Sequence, residues 1–169
     1  PAHFILVAAM NPCPCGHRLT PGKTCVCSPT QLLHYERKLS GPIIDRIDLW
    51  LSVVNVKTSD LSNVIGGGEP SEVICRRVSK AREKQKERFA EQAIKTNSEM
   101  SGKEVEKFAP LDAASRKILN EAVDRLGLSA RVYHRLIKIA RTIADLSQRE
   151  NIIEKDIFEA LQYRPKQEH

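Results

Sequence analysis

The stretch SARVYHRLIKIARTIADL, residues 129–146, places Val132, Leu136, Ile139 and Ile143 on one side of a helix. That spacing follows the 3.6-residue period of an amphipathic helix packed on a core. Ser129 stands where a side-chain oxygen can accept from an orphan amide of the first turn. The opposite face carries Arg131, Arg135, Lys138 and Thr142. Working outward, Asp112 is placed to cap a helix through Leu126, with Ile118, Leu119, Ala122, Val123 and Leu126 inward and Gly127 suited to the C′ position. Ser71 is placed to cap a helix to about Phe89, whose apolar stripe is Ile74, Val78, Ala81 and Phe89. A short helix is expected over Lys103–Phe108 and another over Ile153–Tyr163. Residues 67–169 therefore read as an all-α bundle.

Residues 1–66 follow a different pattern. Phe4 to Ala9 (FILVAA) is a continuous apolar run of strand length, ended by Asn11-Pro12, and Asp48 to Val56 (DLWLSVVNV) reads as a second buried strand. Between them lie a Pro-, Gly- and Cys-rich insert at 12–29, a helix over Gln31–Leu39, the breaker pair Gly41-Pro42 and one helical turn at Ile43–Ile47. Ser59 to Gly68 is a linker. The expected fold class is an α/β fragment followed by a helical bundle, mainly α overall. Two strands do not make a parallel sheet covered on both faces, so the remaining strands are expected upstream of residue 1.

The 169 residues carry 27 Lys and Arg against 21 Asp and Glu, a net charge of +6, and this excess is spread along the chain rather than gathered in a tail. Such a balance permits a polyanionic partner without requiring one. Aromatic residues, at 5%, are too sparse for a base-stacking platform. No apolar run is long enough to span a membrane, and no basic segment precedes the first apolar stretch as a secretory signal requires. Four of the five cysteines fall at Cys13, Cys15, Cys25 and Cys27. Two C-x-C pairs nine residues apart suit a tetrahedral, structural zinc site in a reducing compartment, with His17 as a possible substitute ligand. Free thiols or two disulfides are the alternatives, and Cys75 reads as a small core residue.

Three polar positions invite a functional reading. Asn11 lies at the carboxyl end of the first expected strand, where open α/β sheets bind ligands, although Asn-Pro is also a common strand-ending turn. Arg46 lies between Asp45 and Asp48. It either pairs with one of them or presents a guanidinium to a phosphoryl group in a neighbouring site. Arg131 sits in the first turn of its helix, where amides and the helix dipole favour phosphate; a solvated face is the plainer alternative.

Taken together, LVAAMNPCPCG (6–16), the second C-x-C, YERKLSGPIIDRIDLWLSV (35–53), GEPSEVICRRVSKAREKQKER (68–88), LSARVYHRLIKIARTIADL (128–146) and EALQYR (159–164) resemble the carboxy-terminal part of the ComM/YifB family of magnesium-chelatase-like AAA+ ATPases. The resemblance implies that Asn11 matches sensor 1, Arg46 the arginine finger acting in trans, and Arg131 the sensor 2 arginine of a helical lid, in cis or in trans. It further implies ATP and Mg²⁺ as cofactors of a longer protein, branched DNA as its substrate, a homo-oligomeric, hexameric ring, and the bacterial cytoplasm. The sequence contains no G-x-x-x-x-G-K-[ST] loop and no acidic Walker B strand end, so these residues alone are not expected to hold ATP. Two other readings are a chelatase-type motor acting on a protein partner and a stand-alone zinc-dependent binding module.

Overall fold

The computed structural model describes residues 4–18, 20–53 and 68–165. Seven α-helices occur among them: α1 Pro29–Glu36, α2 Gly41–Ile44, α3 Ser71–Arg88, α4 Gly102–Phe108, α5 Ala113–Leu126, α6 Ala130–Leu146 and α7 Glu154–Gln162, with a 3₁₀ turn at Asn97–Glu99. The described residues fall into two compact units. The first holds residues 4–46 and 52–53; the second holds Ile47–Leu51 and residues 68–165. No helix among them is long and apolar enough to cross a membrane.

The second unit is a helical bundle whose ends follow local capping chemistry. Ser129 accepts from the Val132 amide to start α6, and Asp112 accepts from the Ser115 amide at 2.7 Å to start α5. Gly127 closes α5 in the left-handed conformation, φ +58°, which costs a residue without Cβ little. A reciprocal capping box between Ser101 and Glu104 starts α4. Ser71, expected as a cap, is instead the first residue of α3, behind Pro70.

The core is built from Met100, Val105, Leu119, Val132, Leu136, Ile152 and Ile157, all at most 2% exposed. Phe89 closes it by meeting Phe108 edge-on at 5.3 Å between centroids. The expected inward face of α6 is confirmed at Val132, Leu136 and Ile143, and Ile137, Ala140 and Ala144 widen it. The stripe on α3 is covered at Ala81 and Phe89, whereas Ile74 and Val78 near its start remain exposed.

Beside this apolar core lies a buried charge network centred on the fully buried carboxylate of Asp145. Arg88 grips it with both guanidinium nitrogens, at 2.7 and 2.5 Å, and the Asn97 amide donates to it at 2.8 Å. Arg141, one turn earlier on α6, pairs with it at 3.1 Å and also donates to the carbonyls of Arg149 and Glu150. A second buried carboxylate, Asp156, pairs with Arg149 and accepts from the Ile153 amide at the start of α7. The network ties α3, the 3₁₀ turn, α6 and the α6–α7 connection together.

The mainly α character is as expected, but no strand forms among the described residues. Phe4, Ile5, Leu6 and Val7 are 67–88% exposed, and residues 48–53 adopt no ladder either. A strand is stabilised by hydrogen bonds to a neighbour and by coverage of its faces, and neither segment meets a strand partner among the described residues. The end of the second expected strand and most of the 59–68 linker lie outside the described residues.

Asp145→Asn is expected to lower the unfolding free energy of the helical unit by about 3–5 kcal/mol, because two partly or wholly buried guanidinium groups lose their counter-charge. Denaturant melts should show Lys117→Ala, which removes an exposed pair with Glu121 at 3.9 Å, within about 0.5 kcal/mol of the parent.

Candidate functional site

The first unit is organised around the cysteine knuckle. Gly16 folds back after Cys15 with φ +78°, and its amide donates to the Cys13 carbonyl at 3.0 Å. This turn brings Cys13 and Cys15 together. Gly22, φ +76°, helps to return the chain to Cys25 and Cys27. The four Sγ atoms all lie within 4.8 Å of one another. Cys13–Cys15, Cys15–Cys25 and Cys13–Cys25 are separated by 3.4, 3.6 and 3.7 Å. A tetrahedron of sulfurs about 2.3 Å from a zinc ion has edges of about 3.8 Å, so this spacing fits four-thiolate coordination. It is far too long for a disulfide, and all four cysteines are free. The donor set suits a divalent metal such as zinc. His17 contributes no ring nitrogen to the group.

The electrostatics point the same way. The backbone amides of His17 and Val26 pull the Cys15 thiol down to about 6, whereas partial burial and the neighbouring thiols push Cys27 up to about 12. Like charges in one site cannot all form without a counter-ion, so the last thiol resists ionisation. A divalent cation supplies that counter-charge. The Arg18 amide adds a donor to Cys13 Sγ at 3.3 Å.

The knuckle is fastened to α1. The Arg18 guanidinium pairs with Glu36 at 2.5 Å, and the Tyr35 hydroxyl donates to the Asn11 carbonyl at 2.9 Å. Asn11 thus has its backbone held by α1 while its side chain lies over Gly16, where an added Cβ would stand 3.8 Å from Nδ2. Helix α1 starts two residues before the expected Gln31, because Ser28 and Gln31 form a capping box around Pro29. The S-P-T-Q sequence at residues 28–31 carries the local signal for this earlier start.

Arg46 is exposed, and its guanidinium donates to the Pro42 carbonyl at 2.8 Å. Neither Asp45 nor Asp48 pairs with it: Asp48 pairs with Arg135 of α6 at 3.1 Å. The polar face of α6 is correspondingly divided. Lys138 donates to the Ser98 carbonyl at 3.0 Å, and the Thr142 hydroxyl donates to the Lys138 carbonyl and accepts from Asn97. Arg131 remains exposed in the first turn of α6, with no ion pair among the described residues. Cys75, expected in the core, is exposed because the first turns of α3 are not covered.

Comparison with known proteins places this geometry in a family. The family model described as magnesium chelatase, subunit ChlI C-terminal, matches residues 68–164, and that described as magnesium chelatase, subunit ChlI, matches residues 1–61. The chain belongs to the magnesium chelatase subunit ChlI family. It is 42% identical over 165 residues to the competence protein ComM of Haemophilus influenzae and 40% identical over 164 residues to the uncharacterized protein YifB of Escherichia coli. An uncharacterized protein of Mycobacterium tuberculosis, Rv2897c, is 35% identical over 165 residues. Each alignment covers 97% of this chain but only 31–32% of the relative, so the chain spans about a third of the length of these curated relatives.

Titrating the reduced chain with Zn²⁺ at pH 7 is expected to load one ion and release roughly two to three protons, since Cys15 is already largely ionised and most of its neighbours are not. A weakly buffered indicator assay measures this release. Affinity should fall as pH drops from 8 to 5, because metal binding needs thiolates and acid protonates even Cys15. Cys25→Ser should reduce both the stoichiometry and the proton release.

Proposed function

We propose that this chain is the carboxy-terminal portion of a magnesium-chelatase-like AAA+ ATPase that remodels branched DNA in recombination and natural transformation. The single observation that carries this reading is the match of 97% of the chain, through both parts of the family in order, to relatives that include a protein named for competence. Those matches favour an ATPase over a stand-alone metal-dependent binding module. The protein works as a homo-oligomeric ring, a hexamer, in the bacterial cytoplasm.

In this reading ATP and Mg²⁺ are held by residues outside this chain, and the chain supplies three polar groups. Asn11 positions the attacking water, Arg46 of one subunit neutralises charge developing on the γ-phosphate held by its neighbour, and Arg131 reports nucleotide state to the helical unit. The geometry supports these assignments in a specific way. Arg46 and Arg131 are both exposed, and neither forms an ion pair among the described residues, so each keeps its positive charge available for phosphate. Cys13, Cys15, Cys25 and Cys27 would hold a structural zinc ion, their sulfur atoms all lying within 4.8 Å of one another. All four ligand positions are taken by protein, which leaves no open position for chemistry. The metal gives fixed shape to a segment with little apolar core of its own.

Arg46→Ala in the full-length protein is expected to cut ATP hydrolysis by about 10³–10⁵-fold while leaving ATP affinity nearly unchanged, as single-turnover assays and nucleotide titrations will measure. Normal turnover in that variant removes the finger assignment.

A second reading, a chelatase-type motor working on a protein, draws on the family description itself. Branched DNA should stimulate the ATPase, with an effect that weakens steeply as salt rises. Absence of stimulation favours the protein partner.

A further inference from the structure

Ile47–Leu51 belongs to the helical unit although it lies in sequence within the first. From Asp48 onward it reads as the beginning of a buried strand, yet its bonds run to helices. The Trp50 amide donates to the Tyr163 carbonyl at 2.9 Å, just beyond α7. Arg164 donates to the Ile47 carbonyl at 3.4 Å. The Asp48 carboxylate pairs with Arg135 of α6 at 3.1 Å. The indole N–H of Trp50 is buried and meets no acceptor, so its ring is held by packing rather than by a polar anchor.

The residue immediately before this attached segment is Arg46. A guanidinium that must meet a phosphoryl group in another subunit needs its backbone fixed, because a displacement of about 1 Å can cost on the order of a hundredfold in rate. The side chain of Arg46 has one hydrogen bond of its own, to the Pro42 carbonyl. On the other side, the chain is fixed by the helical unit from the next residue onward.

We propose that Asp48 and Arg135 are a positioning pair, which sets the backbone that presents Arg46 by docking residues 47–51 onto α6 and the end of α7. This rests on the arginine-finger reading of Arg46. The charges around Asp48 suit the task. Arg135 and Lys138 stand on one face of α6, and Glu104 of α4 is a second carboxylate that acts on Lys138. Burial and Arg135 lower the Lys138 ammonium from its usual value, while Asp48 and Glu104 oppose that shift, so Asp48 also relieves repulsion between two cations one turn apart. Removing the carboxylate takes from the segment its salt bridge to α6 and takes from Arg135 and Lys138 a charge that opposes their repulsion. Asp48 is 58% exposed, so its loss spares the core.

Trp50 is the only tryptophan of the chain, which gives the docking its own optical signal. In the 169-residue chain, Asp48→Asn and Arg135→Glu should red-shift Trp50 emission and speed exchange of its amide, while Arg135→Lys, which keeps the charge, should restore the parent spectrum. In the full-length ATPase, Asp48→Asn should lower kcat roughly 10- to 100-fold with KM for ATP unchanged. It should add nothing to Arg46→Ala, because a misplaced finger and a missing one remove the same interaction. Unchanged Trp50 emission in both disruptive variants overturns the docking role. Full turnover in Arg46→Ala overturns the finger reading and the positioning role with it. Lost turnover in Arg46→Ala alongside parental kcat in Asp48→Asn overturns the positioning role alone.

Discussion

The helical unit depends on a carboxylate with nowhere else to go. Asp145 is fully buried, and its charge is tolerable only because Arg88, Arg141 and Asn97 meet it from different parts of the chain. Apolar packing is forgiving of small shifts, whereas a bidentate guanidinium–carboxylate grip is not. The grip fixes α3 against α6, and Arg141 carries the restraint onward to the backbone at Arg149 and Glu150. From there Arg149 reaches Asp156 and the first turn of α7. One chain of charged contacts thus orients three helices whose apolar faces alone would permit several arrangements.

What the sequence made legible divides along the range of the forces involved. Caps and stripes act over three or four residues, so Ser129, Asp112 and Gly127 announced the ends of α5 and α6 correctly. The Arg141–Asp145 pair was within the same reach, but its significance was not, because Arg88 joins it from 57 residues away. The polar face of α6 illustrates the same limit. Arg131, Arg135, Lys138 and Thr142 share a helical side, yet the structure gives each a different partner or none, and only tertiary contacts decide which. Among the described residues the two apolar runs form no strand, for a related reason: a strand is a property of a pair, and a single run does not contain its neighbour.

The cysteines were the most informative local signal. Two pairs in a Gly- and Pro-rich insert already suggested one metal centre, and the structure adds sulfur separations of tetrahedral size. It also shows what the pattern alone did not, that α1 is fastened to the knuckle through Arg18–Glu36 and to Asn11 through Tyr35. Asn11 and Arg46 were legible as polar residues at element ends; the roles proposed for them draw on the family resemblance. The attachment of residues 47–51 to helices was invisible, since it links positions more than eighty residues apart.

The thiol cluster has a bearing on the charge of the molecule as a whole. Counted with neutral thiols, the chain carries +6. With Cys15 already largely ionised in the empty form, binding a divalent ion while two to three protons leave changes the charge of the knuckle by at most about one elementary charge. Loading therefore offsets at most about a sixth of the formal excess with which the chain attracts polyanions, because proton release nearly balances the charge that the metal brings.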